Sequence, residues 1–104
     1  MTKIERAPEK LVLQSGSITL MLDKGTGKAI MLRKLLFWAR KPLERSLSEI
    51  AEVRVDTDVD PASRAEFCNT MLRMHTGGAW KLAAADKKDA ETTVAAVREF
   101  LGTG

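Results

Sequence analysis

The last fifth of this chain admits one local structure, and that structure constrains the rest. Asp86 is a helix N-cap residue, and Asp89 adds negative charge in the first turn. Ala90, Val94, Val97 and Leu101 then recur at i, i+4, i+7 and i+11 before Gly102 stops the pattern. The spacing predicts a helix over about 86–101. Its apolar stripe is narrow and its other side carries Glu91, Arg98 and Glu99, so the helix must lie with one face on something else, most simply a sheet. A chain of 104 residues, 44% of them hydrophobic, buries roughly two thirds of the surface it exposes when unfolded. That supports one core and therefore one domain over 1–104, which excludes multi-domain enzyme architectures. Residues 1–9 are polar and mixed in charge and read as a loose N-terminal segment with no secretory signal.

The sheet is visible in alternation. Residues 11–23 break at Ser15-Gly16-Ser17, after which Ile18, Leu20 and Leu22 share one side, so two strands joined by a tight turn are expected. Asp23-Lys24-Gly25-Thr26-Gly27-Lys28 reads as a hairpin loop whose glycines supply positive φ. From Ala29 to Trp38 a strand would be apolar on both faces, and Pro42 ends it. The β-branched Ile50, Val53 and Val55 favour a strand over about 50–57, followed by a polar loop from Asp56 to Ser63.

Residues 61–76 carry conflicting signals. Asp60-Pro61 matches an N-cap followed by proline at the first helical position, and Ala65, Cys68, Leu72 and His75 fall near helical spacing. Yet Cys68, Thr70, Leu72 and Met74 also share one face of a strand, and Gly77-Gly78 before Ala79-Trp80-Lys81-Leu82 reads as a hairpin turn. Residues 29–41 are ambiguous in the same way, because Leu32, Leu35, Leu36 and Ala39 also fit a helix face. A mostly α-helical domain is the alternative that periodicity leaves open.

No chemistry-bearing pattern is complete. In Gly25-Thr26-Gly27-Lys28 a single residue separates the glycines and Ala29 follows the lysine, which suits a turn and not a phosphate loop. Asp56, Asp58 and Asp60 alternate as in a calcium loop, but Pro61 and Phe67 stand where glycine and a bidentate glutamate belong. Cys68 and His75 are the only residues of their kinds, which excludes a zinc site built from several. Seven apart on a strand, they face opposite ways, so Cys68 reads as a core residue and His75 as a loop-edge one. The expectation is a non-catalytic protein without metal or cofactor. The lone cysteine and the longest apolar run, Leu35 to Ala39, suggest a soluble chain of a reducing, cytoplasmic compartment, peripheral to a membrane at most.

The charge is unevenly spread. A formal net charge of +3 resolves into zero over residues 1–23, +6 over 24–45 and −3 over 46–104. In the basic window Lys24, Lys28, Arg33, Lys34, Arg40, Lys41 and Arg45 face Glu44 alone. Six of them, with Trp38 beside Arg40-Lys41, form a candidate anionic-surface site: Lys24, Lys28, Arg33, Lys34, Trp38, Arg40 and Lys41. An indole at headgroup level flanked by cations suits an anionic membrane surface, whereas burial of Trp38 in the core is the competing role. Nucleic acid is the weaker alternative and requires the helical reading of 29–41 and 61–76. No small-molecule substrate is evident.

The order of elements resembles bacterial pleckstrin-homology-like (PH-like) domains. The resemblance spans about Leu11 to Gly102. It rests on Ile18-Thr19-Leu20 and Leu22-Asp23, on Leu47-Ser48-Glu49-Ile50-Ala51-Glu52-Val53-Arg54-Val55, on Gly77-Gly78-Ala79-Trp80-Lys81-Leu82, and on Val97-Arg98-Glu99-Phe100-Leu101-Gly102. It implies a mainly β, α+β fold: a bent antiparallel barrel of about seven strands capped by the C-terminal helix, with strands in the ambiguous segments. Such domains look like assembly modules, so the resemblance implies binding to a protein partner or self-association, through an exposed strand edge or a groove beside the helix. In lipid-binding relatives a basic pattern runs from the first hairpin loop into the next strand and ends in a basic-x-Arg triplet. Lys24, Lys28, Arg33 and Lys34 occupy a similar stretch without that triplet, and the helix has Phe100 as its only aromatic where relatives carry Trp.

Overall fold

The computed structural model describes residues 1–35, 38–39 and 41–102, with side chains for 1–34 and 41–102. The fold is mainly β, with two antiparallel sheets and one C-terminal helix. β1 (Lys3–Ala7), β2 (Lys10–Ser15), β3 (Ile18–Asp23) and β4 (Lys28–Leu35) form a meander, and β4 also pairs with the short β5 (Trp38–Ala39) and β6 (Leu43–Ser46). After a single 3₁₀ turn at Leu47–Glu49, β7 (Ile50–Val59), β8 (Glu66–Met74) and β9 (Ala79–Ala83) make the second sheet, and α1 (Lys87–Leu101) follows.

Period-two burial sets the register. Leu11 and Leu13 in β2 stand opposite Leu22 and Leu20 in β3, which in turn face Ala29 and Met31 in β4, and all six are buried. In the second sheet Val53 stands opposite Leu72, and Leu72 opposite Trp80. A slip of one residue would turn each of these columns out to water. Val94 and Val97 of α1 complete the core, and the helix packs on β7 and β8. Its buried face is wider than the predicted stripe, because Asp89, Thr93 and Ala96 are buried with Ala90, Val94 and Val97. Arg98, expected on the solvent side, reaches back so that its Nε donates to the Val53 carbonyl at 2.9 Å.

The ambiguous segment 61–76 is resolved in favour of strand over Glu66–Met74. Asp60 does not cap a helix; its carboxylate accepts from the Ala62 N–H and the Ser63 hydroxyl, which curls the chain into a tight loop. These hydrogen bonds, the Ser63 hydroxyl first, hold Asp60 below the usual carboxylate range. The loop is shorter than expected: residues 56–59 belong to β7, because Asp56, Thr57, Asp58 and Val59 pair with Asn69, Cys68, Phe67 and Glu66.

Residues 1–9 are not loose. β1 pairs with β2 from Lys3 opposite Gln14 to Ala7 opposite Lys10, across a turn at Pro8-Glu9. Counting β1, β5 and β6, the described residues hold nine strands where about seven were expected. Among the turns, Gly16 has φ +57° in the two-residue link from Ser15 to Ile18, as anticipated. Gly25 differs from expectation: positive φ belongs to Gly27, while a Cβ at Gly25 would lie 3.1 Å from carboxylate oxygens of Asp23 and Glu9, which would have to give by a few tenths of an ångström. Cys68, expected in the core, is only half-buried on the inner face of β8, and His75 lies exposed just past the strand. Among the described residues no helix is long and apolar enough to cross a membrane.

Candidate binding groove

Three elements meet at one end of the molecule: the Pro8-Glu9 turn, the loop 24–27 and the last turn of α1. The Lys24 N–H donates to the Glu9 carbonyl at 2.8 Å, and the Leu47 N–H donates to the Gly27 carbonyl at 2.8 Å. Asp23 Oδ1 holds the loop by accepting from the Gly25 N–H at 2.8 Å. From this anchored loop the Lys24 ammonium reaches over the ring of Phe100, 4.7 Å from its centroid. A cation so placed is attracted by the ring quadrupole.

On one side of this contact a groove of about 220 Å³ is lined by Arg6, Lys10 and Lys24 around a floor of Leu11, Ala96 and Phe100, with Glu99 as its one carboxylate. Lys10 also stands 3.9 Å from the Asp23 carboxylate. On the other side a pocket of about 320 Å³ lies among Lys24, Leu47, Ser48, Ile50 and Leu101. Lys24 therefore borders both. Positive side chains around an apolar floor attract a ligand that carries negative charge and a hydrophobic group together.

Among the residues of the basic window whose side chains are described, Lys24 and Lys28 lie toward one end of β4, and Arg33, Lys34 and Lys41 toward the other. Lys24 is in the groove. Lys28, at the start of β4, is bonded at 2.8 Å to Glu44 on β6, and that hydrogen bond with its attendant charge holds the ammonium above its ordinary value. Arg33 lies five residues further along β4, about 17 Å at the usual strand rise. It lines a different pocket, of about 330 Å³, with Met31, Lys41 and Leu43. Lys34 is at the same far end, its N–H donating to the Ser17 carbonyl at 3.0 Å. The side chains of Trp38 and Arg40 lie outside the described residues, as does the question of Trp38 burial.

Arg6 and Lys10 were missed. They belong to a segment of zero net charge, and the only sign of a strand there is Ile4 two residues before Arg6, with Leu11 and Leu13 alternating beyond Pro8-Glu9, too little apolar alternation to announce β1. The other candidate clusters have structural employment. Lys81 Nζ lies 2.9 Å from Asp56 and 3.7 Å from Asp58, the Asn69 amide donates to Asp58, and Asp60 serves its own loop. The bond to Asp56 and the charges of both aspartates raise the Lys81 pKa. No protein-family model matches the chain, and comparisons with curated proteins and with solved structures give no match.

Proposed function

We propose that this chain is a PH-like, non-catalytic interaction module that takes an acidic, apolar-bearing peptide segment of a protein partner into the groove at the end of α1. The observation that carries the reading is the ring of Arg6, Lys10 and Lys24 around Leu11, Ala96 and Phe100. The order of a four-stranded meander, a three-stranded sheet and a C-terminal helix supports the PH-like assignment. The first hairpin is now the one at Pro8-Glu9, and the strand that leaves it, β2, carries Lys10 as its only basic residue. That favours a peptide over a phosphoinositide headgroup. A flat anionic membrane is disfavoured because Lys28 is neutralised by Glu44 while Lys24 and Arg33 point to opposite ends of β4. The reading places the chain in a reducing cytoplasm, where Cys68 remains a free thiol.

Fluorescence anisotropy with a glutamate-rich peptide bearing leucine and phenylalanine tests it, against a lysine-rich counterpart and vesicles containing anionic lipid. The acidic peptide binds, more weakly as salt rises, and Lys24→Glu lowers its affinity about tenfold or more, because a like charge then faces the incoming carboxylates. Failure of the acidic peptide to bind, or vesicle binding that ignores Lys24→Glu, overturns the reading.

A further inference from the structure

Apart from Met1, the large apolar side chains left exposed among the described residues are Leu43, Val59 and Phe67, and they fall in two settings of opposite charge. Val59 and Phe67 sit at the far end of the β7–β8 ribbon, 56% and 53% exposed. β9 covers this ribbon only from Asn69 to Arg73, and the Ala84 N–H reaches one step further to the Cys68 carbonyl. Beyond that, two strands run on alone, with Asp58 opposite Phe67 and Val59 opposite Glu66. Each exposed apolar side chain at the tip therefore has a carboxylate beside it; Asp58 also accepts from the Asn69 amide and lies 3.7 Å from Lys81 Nζ, whereas Glu66 has no ion-pair partner among the described residues.

The second setting is the pocket of about 330 Å³ formed by Met31, Arg33, Lys41 and Leu43. Leu43 is 45% exposed. Neither Arg33 nor Lys41 has an ion-pair partner among the described residues. A cavity of roughly 150 Å³ already accommodates a benzene ring, so the volume here is large enough for an aromatic side chain.

We infer that the chain self-associates, the Phe67 tip of one copy entering the Met31–Leu43 pocket of another, with Asp58 and Glu66 of the first against Arg33 and Lys41 of the second. The complement of an acidic knob bearing an aromatic ring is a basic pocket with an apolar wall, and one copy carries both. The contact is heterologous, so it closes into a pair when each copy serves the other and runs on as a chain when it does not. It uses neither Lys24 nor the groove beside α1, and it stands or falls apart from the peptide reading.

Sedimentation velocity across a dilution series at low ionic strength tests it. The protein sediments as more than a monomer at high concentration and dissociates on dilution and with added salt. The tip variant Phe67→Ser and the pocket variant Arg33→Glu/Lys41→Glu each weaken association by about tenfold or more, since a central aromatic anchor carries much of such a contact. Neither associates well alone, yet an equal mixture of the two re-forms a complex, because the mixture holds one intact tip and one intact pocket. Circular dichroism and thermal melting confirm that each variant is folded, and Phe67→Gln replaces any tip variant that is not. A protein that stays monomeric at every concentration, variants that associate like the original, or a mixture that restores nothing overturns the inference.

Discussion

Thr2 and Asp89 are 87 residues apart in sequence and joined by three hydrogen bonds: the Thr2 N–H donates to both carboxylate oxygens at 3.0 and 3.1 Å, and the Thr2 hydroxyl to Oδ2 at 3.0 Å. Asp89 also accepts from the Ala85 N–H at 2.9 Å, while its own N–H donates to the Asp86 cap. Both residues are buried. This one carboxylate thus fastens the start of β1 to the start of α1. Replacing Asp89 with Ala strands buried donors, and a cost of about 2–4 kcal/mol is expected. Urea unfolding checks it as a lower midpoint with an unchanged slope.

The same carboxylate gives the fold an acid limit. Burial pushes the Asp89 carboxyl up, but the donors from Ala85 and Thr2 more than offset that, and it lies below the usual carboxylate range. A group whose pKa is lower folded than unfolded stabilises the fold above its unfolded pKa, about 3.9 for aspartate, and loses that contribution as pH falls through the folded value. The stability gap between the original chain and Asp89→Asn is therefore widest near neutrality and narrows as pH falls below about 4. Parallel denaturation curves from neutral to acid pH measure that gap.

Three residues of β8 test the strand that periodicity left open. Leu72 is fully buried between Val53 and Trp80, while Phe67 is more than half exposed. Leu72→Ala costs about 2–5 kcal/mol, as for other truncations of buried leucine, and Phe67→Ala stays within about 0.5 kcal/mol. Met74, two residues on and also buried, shares the strand face of Leu72, so Met74→Ala costs about 2–5 kcal/mol as well, whereas a helix over 61–76 would set those two residues on opposite sides. Chemical denaturation of the three variants decides it.

Gly16 turns β2 into β3 at φ +57°, and a Cβ there would meet nothing within 4 Å. The expected loss for Gly16→Ala is therefore the backbone term alone, about 1 kcal/mol, and asparagine, which tolerates this region better, costs less. Thermal melts of the two variants rank them.

What was legible from residues alone was local. Asp86 and Gly102 bracket α1 because caps act within one turn, and the Asp86 carboxylate does accept from the Asp89 N–H. Asp60-Pro61 misled because the chemistry that caps a helix also closes an Asx loop, and only the pairing of Asp58 with Phe67 and Val59 with Glu66 tells them apart. β1 was hidden because an edge strand needs few inward apolar residues, here Ile4, and because its tie to Asp89 spans the chain. The charge window 24–45 was a true count, but a count does not give position: a strand carries Lys28 and Arg33 to different ends. The groove draws instead on Arg6 and Lys10, from a stretch whose charges cancel.

That division of the basic window makes a discriminating experiment. Lys28 is exposed and already bonded to Glu44, so reversing its charge gives up one surface pair and exposes no new cation to a ligand. Such pairs contribute little in water. Lys24, by contrast, borders the groove and sits over Phe100. Lys28→Glu is expected to lower the unfolding midpoint slightly, because two carboxylates then face each other across β4 and β6, and to leave acidic-peptide affinity as it is. Lys24→Glu should lower the affinity about tenfold or more, because a like charge then faces the incoming carboxylates. Anisotropy titrations of the two variants at low and high salt give the result directly. If Lys28→Glu weakens binding as much as Lys24→Glu does, the ligand is responding to net charge along the chain and not to the groove.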